Sequence, residues 1–169
     1  SEEYVIPHQN YKSLNLNDYH KIELETIGNR LFLPLSVQVN SEIKIEGRFQ
    51  LDFGSGGTVT MTSSVANKYK LKEAIYQKVA YFTKYGGVGG ASSSFEFLSS
   101  SVNIGAFAFD SVVMEFSVDK SGALASNKHL GLLGNGILER FDVLIDFMEP
   151  ALYLKPNENY QKPFEFSRL

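Results

Sequence analysis

From Lys21 onward the chain is built of short runs that alternate apolar and polar residues, KIELETI, LFLPLSVQVN and EIKIEGRFQLDF, separated by turn residues at Gly28-Asn29 and Asn40-Ser41. A period of two puts every second side chain on the same face, which suits a half-buried strand and not an amphipathic helix. The pattern returns in KVAYFTK, SSSFEFLSSSVNIG, AFAFDSVVMEFSV and DVLIDFMEPALYLKP. The first two predict a long hairpin, and the last a closing hairpin around Glu149-Pro150. A content of 13 Phe and 9 Tyr with no Trp fits strands better than helices. The sequence therefore predicts an all-β fold.

Helical signals are few. In TVTMTSSVANKYKL, Ser63 or Ser64 can cap a short helix that turns Val65, Tyr69 and Leu71 inward. GLLGNGILERF predicts a turn into another short helix, so two or three are expected in all. Pro34 cannot donate to a ladder, so its strand should be an edge or bulged there. The 169 residues suit one domain, with an extended lead-in over 1–20, a β-barrel core over 21–157 and a peripheral tail over 158–169. A chain that starts Ser-Glu-Glu and not with Met is expected to be processed or trimmed.

Several function classes fall away. The net charge of −3 and the scattered Lys and Arg residues give no nucleic-acid footprint. The nearest basic cluster, Lys68, Lys70, Lys72 and Lys78, reads as the solvated face of a short helix. There is no Cys for disulfide, thiolate or Cys-zinc chemistry, and no run has the length of a membrane span. His8, His20 and His129 have no metal-site spacing and are expected in exposed loops, so neither metal nor cofactor is anticipated. The glycines from Gly86 to Gly90 lead into a strand pattern, which predicts a hairpin tip and not a phosphate cradle. Asp52-Phe53-Gly54 spells a kinase metal motif, but the rest of the kinase signature is missing. Ser92 to Ser94 and Ser99 to Ser101 lack a nucleophile elbow and read as hydroxyl-rich strand edges.

Asp52 remains, at the end of an apolar strand in FQLDFGSGGTVTMT. Gly54, Gly56 and Gly57 allow a tight loop in which backbone N–H groups and Ser55 can hydrogen-bond a carboxylate. On these residues alone, a functional loop and an ordinary Asp-Gly turn are both open. A second motif bears on the choice, two apolar residues followed by glycine at Leu132-Leu133-Gly134.

Together the two motifs resemble the pepsin-like and retropepsin-like aspartic proteases, in which an Asp-Thr/Ser-Gly loop lies beside a later strand ending in two apolar residues and glycine. The order of elements from about Ile22 to Pro156 is similar too, and GLLGNGILERFDVLIDFMEPALYLKPN resembles bacterial members. The resemblance implies a single acid-protease lobe whose catalytic aspartate is Asp52. Phe53, Gly54, Ser55, Gly56, Leu132, Leu133 and Gly134 would support the loop, with the Ser55 hydroxyl bonded to the carboxylate. Tyr85, Gly86 and Gly87 would form the flap over a peptide or protein substrate.

Aspartic proteolysis needs two carboxylates sharing a proton. Asp110, Asp119, Asp142 and Asp146 lack the loop context, so the second must come from a homodimer partner or another lobe of a longer protein. The resemblance favours this chain as a C-terminal lobe, with KPNENYQKPFEF leading toward a further domain such as a PDZ module and with export expected. The departure is Phe53, where the family carries a Thr or Ser whose hydroxyl bonds across to the opposite loop. That substitution leaves a second expectation, a catalytically impaired or peptide-binding lobe.

Overall fold

The structure, a computed structural model, describes residues 15–75, 80–84 and 92–166. Tyr85, Gly86 and Gly87, and with them the expected flap tip, lie outside the described residues. The fold is all-β, with three short α-helices among the described residues. Its strands are β1 (His20–Glu23), β2 (Glu25–Ile27), β3 (Arg30–Gln38), β4 (Lys44–Leu51), β5 (Val59–Met61), β6 (Ala80–Lys84), β7 (Ser92–Ile104), β8 (Phe107–Ser117), β9 (Gly131–Leu133), β10 (Phe141–Asp146) and β11 (Ala151–Pro156). The helices are α1 (Ser63–Lys68), α2 (Leu71–Ala74) and α3 (Asn135–Leu138).

Eight strands run in the order β2-β3-β4-β9-β5-β8-β7-β6, and a further β3–β7 pairing closes six of them into a ring. Closure is made by Ser36↔Asn103, Val37↔Val102 and Gln38↔Ser101. β7 is long because its start pairs with β6 and its end with β3, while β8 follows it nearly throughout. Phe49, Val59, Met61, Phe97, Met114, Phe116 and Leu133 fill the interior and are fully or almost fully buried. They come from inward positions of the alternating runs, which is why the period of two was readable.

The run KIELETI is not one strand. It divides at Leu24, whose N–H donates to Pro150 O (2.9 Å); β1 before it joins β11, and β2 after it joins β3. The small sheet β1-β11-β10 packs on the barrel through an aromatic cluster, with Phe107 and Phe141 centroids 4.8 Å apart and Phe109 and Tyr160 5.1 Å apart. Pro34 pairs with Arg48 on β4, while the β2 and β7 pairings on the other side stop at Phe32 and start at Ser36. The strand has an open edge where its proline needs one.

The cap of α1 is Thr62 and not Ser63 or Ser64; its hydroxyl accepts from Val65 N–H at 3.3 Å. Ser63 instead donates to Asp119 O (2.7 Å). Residues after Pro156 run along the outside yet are held there. The Arg140 guanidinium donates to the carbonyls of Asn159, Tyr160, Lys162 and Pro163, and its Cζ lies 3.7 Å from the Phe164 ring centroid.

Candidate active site

β4 and β5 are consecutive in the chain and joined by the Asp52 loop, yet they do not pair with each other. β9 lies between them, parallel to β4 through Leu51↔Leu133 and antiparallel to β5 through Val59↔Leu133. Leu133 is fully buried. Its carbonyl accepts from Asp52 N–H (2.9 Å), so the first residue of the loop is fixed by the last residue of the inserted strand.

The loop is then held by the segment that follows β9. Gly134 N–H donates to Thr58 O (2.8 Å), Asn135 N–H to Ser55 O (2.8 Å) and Gly136 N–H to Gly57 O (2.9 Å). These are N–H groups of the first turn of α3, which have no partner within a helix, and the loop carbonyls satisfy them. The Asn135 side chain adds Nδ2–H to Phe53 O at 2.6 Å. Thr58 Oγ donates to Val113 O on β8. The two motifs singled out in the sequence are thus one hydrogen-bonded unit.

Within that unit Asp52 is half-buried, and its Oδ1 accepts from Gly54 N–H at 2.9 Å. The Ser55 hydroxyl was expected to bond the carboxylate. It accepts instead from Gly57 N–H at 3.4 Å, bracing the turn from within. A Cβ at Gly54 would stand 3.2 Å from Asp52 Oδ1, close enough that the carboxylate would have to give by a few tenths of an ångström. Phe53 projects from the loop with 45% of its surface exposed.

Other candidates are placed elsewhere. Asp146 Oδ1 accepts from Met148 and Glu149 N–H and closes the β10–β11 turn. Asp119 takes Ser92 Oγ at 2.6 Å and Ser93 N–H at 2.9 Å, pinning the start of β7. Asp110 and Asp142 are exposed. The serines of β7 are not all edge residues, since Ser94 and Ser99 are buried and donate to Glu115 Oε2 and Val112 O. Lys68, Lys70 and Lys72 are exposed as expected, while Lys78 and His8 lie outside the described residues.

His129 corrects the expectation of exposed loop histidines. It is buried at the entrance to β9, with Nδ1 3.0 Å from Gly131 O and its ring 5.8 Å from that of Phe32. Burial lowers its pKa from the ordinary imidazole value; nearby Arg30 and Arg48 act in the same direction, and the Gly131 bond opposes them.

A cleft of about 430 Å³ opens along the back of the loop, lined by Gly57, Thr58, Glu96, Glu115 and Arg140 among others. Asp52 does not line it. Among the described residues no group of His, Asp or Glu is arranged to hold a metal ion, and no helix is long and apolar enough to cross a membrane.

Asn135 is the site residue that sequence reasoning did not single out. Its signal was present, a side-chain donor immediately after the apolar-apolar-glycine motif, but nothing local shows which carbonyl it reaches.

The fold is retropepsin-like. A crystal structure of a retropepsin-like aspartic protease from Rickettsia conorii superposes with a TM-score of 0.52 at 20% sequence identity, over 80% of this chain and 98% of that one. No family model and none of the curated proteins matches the sequence.

Proposed function

We propose that the chain is one lobe of an aspartic endopeptidase and that Asp52 is its contribution to a two-carboxylate dyad. The observation that carries this reading is the inserted strand β9, which fixes Asp52 through Leu133 O on a retropepsin-like fold. A lone carboxylate serves only as a base or only as an acid. Two that share a proton do both, since close like charges do not both ionise. One takes a proton from water as its oxygen attacks the peptide carbonyl carbon, and the other gives a proton to the carbonyl oxygen. The tetrahedral adduct then collapses, breaking the C–N bond as the amine leaves with a proton.

The second aspartate comes from a second copy of the chain or from another lobe. The end of the barrel that carries Asp52 suits such pairing. Phe53 is exposed there, and so is Ile27 on the neighbouring β2–β3 turn, placed by the Phe32↔Gln50 and Ile27↔Arg30 registers. Exposed large apolar side chains at one end mark a surface suited to association.

Hydrolysis of a fluorogenic peptide library between pH 3 and 7 tests the proposal. Asp52→Asn is expected to abolish turnover with the melting temperature preserved, and unchanged turnover would overturn the assignment. Activity per mole that rises with protein concentration identifies a homodimer. The exposed Phe53 favours a second reading, a lobe that binds peptides but turns them over poorly. Phe53→Thr separates the two, because a gain in turnover indicates a damaged catalytic site and no gain indicates binding alone.

A further inference from the structure

The Asn135 amide and the Asp52 carboxylate never touch, but they hold opposite ends of the same peptide unit. Asn135 Nδ2–H donates to Phe53 O at 2.6 Å, and Gly54 N–H donates to Asp52 Oδ1 at 2.9 Å. Phe53 C=O and Gly54 N–H belong to one planar amide, so fixing the direction of the carbonyl fixes the direction of the N–H. Hydrogen bonds in such a chain also polarise one another, which strengthens the terminal donor.

One further loop contact brackets the same peptide, Ser55 N–H donating to Asp52 O at 3.2 Å across the turn, but it touches neither the Phe53 carbonyl nor the Gly54 N–H. Gly134, Asn135 and Gly136 bind the carbonyls of Thr58, Ser55 and Gly57 with backbone N–H groups. These hold the far side of the loop. At the tip, next to the carboxylate, the chain uses a side chain.

We propose that Asn135 is a positioning residue for Asp52, acting through the Phe53–Gly54 peptide to aim the Gly54 N–H at the carboxylate. Its effect on rate rests on the reading of Asp52 as catalytic; its effect on the geometry does not. Asn135 fixes Asp52 from within its own lobe, whatever the opposite loop contributes. This matters in a chain whose Phe53 has no hydroxyl to reach across a seam.

The test is a pH titration of the Gly54 amide resonance by NMR in the 169-residue chain, with Asp52→Asn as the control that removes the carboxylate. In the unmodified chain the Gly54 resonance should follow ionisation of Asp52. In Asn135→Ala and in the near-isosteric Asn135→Leu, the size of that response should fall to less than half. The amides of Gly134 and Gly136 should keep their protection. An undiminished response would overturn the proposal. So would a response lost together with the protection of Gly134 and Gly136, since Asn135 would then only hold the loop in place. If the unmodified chain hydrolyses peptides, the same variants should lower kcat about tenfold with KM within about twofold, as for an interaction felt mainly in the transition state. Peptidase activity that is indifferent to Asp52→Asn refutes the functional reading while the NMR result still decides the relay.

Discussion

Gly134 and Gly57 are packed backbone to backbone, so close that a Cβ on Gly134 would stand 2.4 Å from the Gly57 carbonyl oxygen and 2.9 Å from Ser55 O and Oγ. No side-chain rotation relieves a clash with main-chain atoms, and the loop carrying Asp52 would have to move. Gly134→Ala is therefore expected to cost about 2–3 kcal/mol of stability, the upper range for overpacking. Gly56→Ala is the control: its added Cβ meets nothing within 4 Å, and it should be near neutral. Urea unfolding of the two variants checks the contrast, and equal midpoints would show that the loop yields freely.

The same pair explains what could and could not be read from the sequence. Strand content follows from alternation, which is local, and the runs around Phe49, Phe97 and Met114 were legible for that reason. The Asp52 loop and Leu132-Leu133-Gly134 were legible as motifs. Their meeting was expected only through the family resemblance, since the pairing that puts β9 between two strands adjacent in the chain is long-range and no window of sequence contains it. Leu24 shows the limit from the other side. The run alternates through it from Lys21 to Glu25, yet its two halves belong to different sheets, parting where Leu24 N–H bonds to Pro150 O. His129 was misplaced for a related reason, since a polar neighbourhood in sequence says little about a ring covered by Phe32 from another strand. Asn135 and Arg140 act through carbonyls of distant residues, and any residue has a carbonyl.

Arg140 links the barrel to the C-terminal segment. It is buried, and besides the four carbonyls beyond Pro156 its Nε–H donates to Gly136 O (3.2 Å) in its own helical turn. Burial draws its pKa down and the Glu139 charge opposes that shift, but an arginine remains protonated throughout the usable pH range. Arg140→Met keeps bulk while leaving several buried carbonyls without a donor, and should lose about 3 kcal/mol. Limited proteolysis should then cut after Asn157 before the core is attacked. Arg140→Lys is expected to recover only part of the loss, because an ammonium cannot spread its donors as a guanidinium does. Full recovery by lysine would indicate that charge alone matters.

His129 sets a pH dependence opposite in direction to that of a typical paired histidine. Its imidazole is buried, with Nδ1–H directed at Gly131 O and, among the described residues, no partner for Nε2. The charged groups around it are Arg30 and Arg48, which disfavour a second positive charge, and Arg48 is itself paired with Glu25 at 2.9 Å. The folded pKa is therefore below the unfolded value of about 6.5, so the unfolded chain binds more protons in the interval between them. Stability is complete above that interval and declines as pH falls from about 6.5 toward the folded pKa, with a limiting slope of about 1.4 kcal/mol per pH unit. His129→Asn retains a donor near Nδ1 but cannot be protonated, so it should flatten this part of the stability profile. Urea midpoints at several values between pH 7.5 and 4.5, for both proteins, provide the measurement. Identical slopes would remove His129 as the cause. A reduced slope in His129→Asn would mean that protonation of this one ring, at the entrance to β9, is what destabilises the fold as the pH falls.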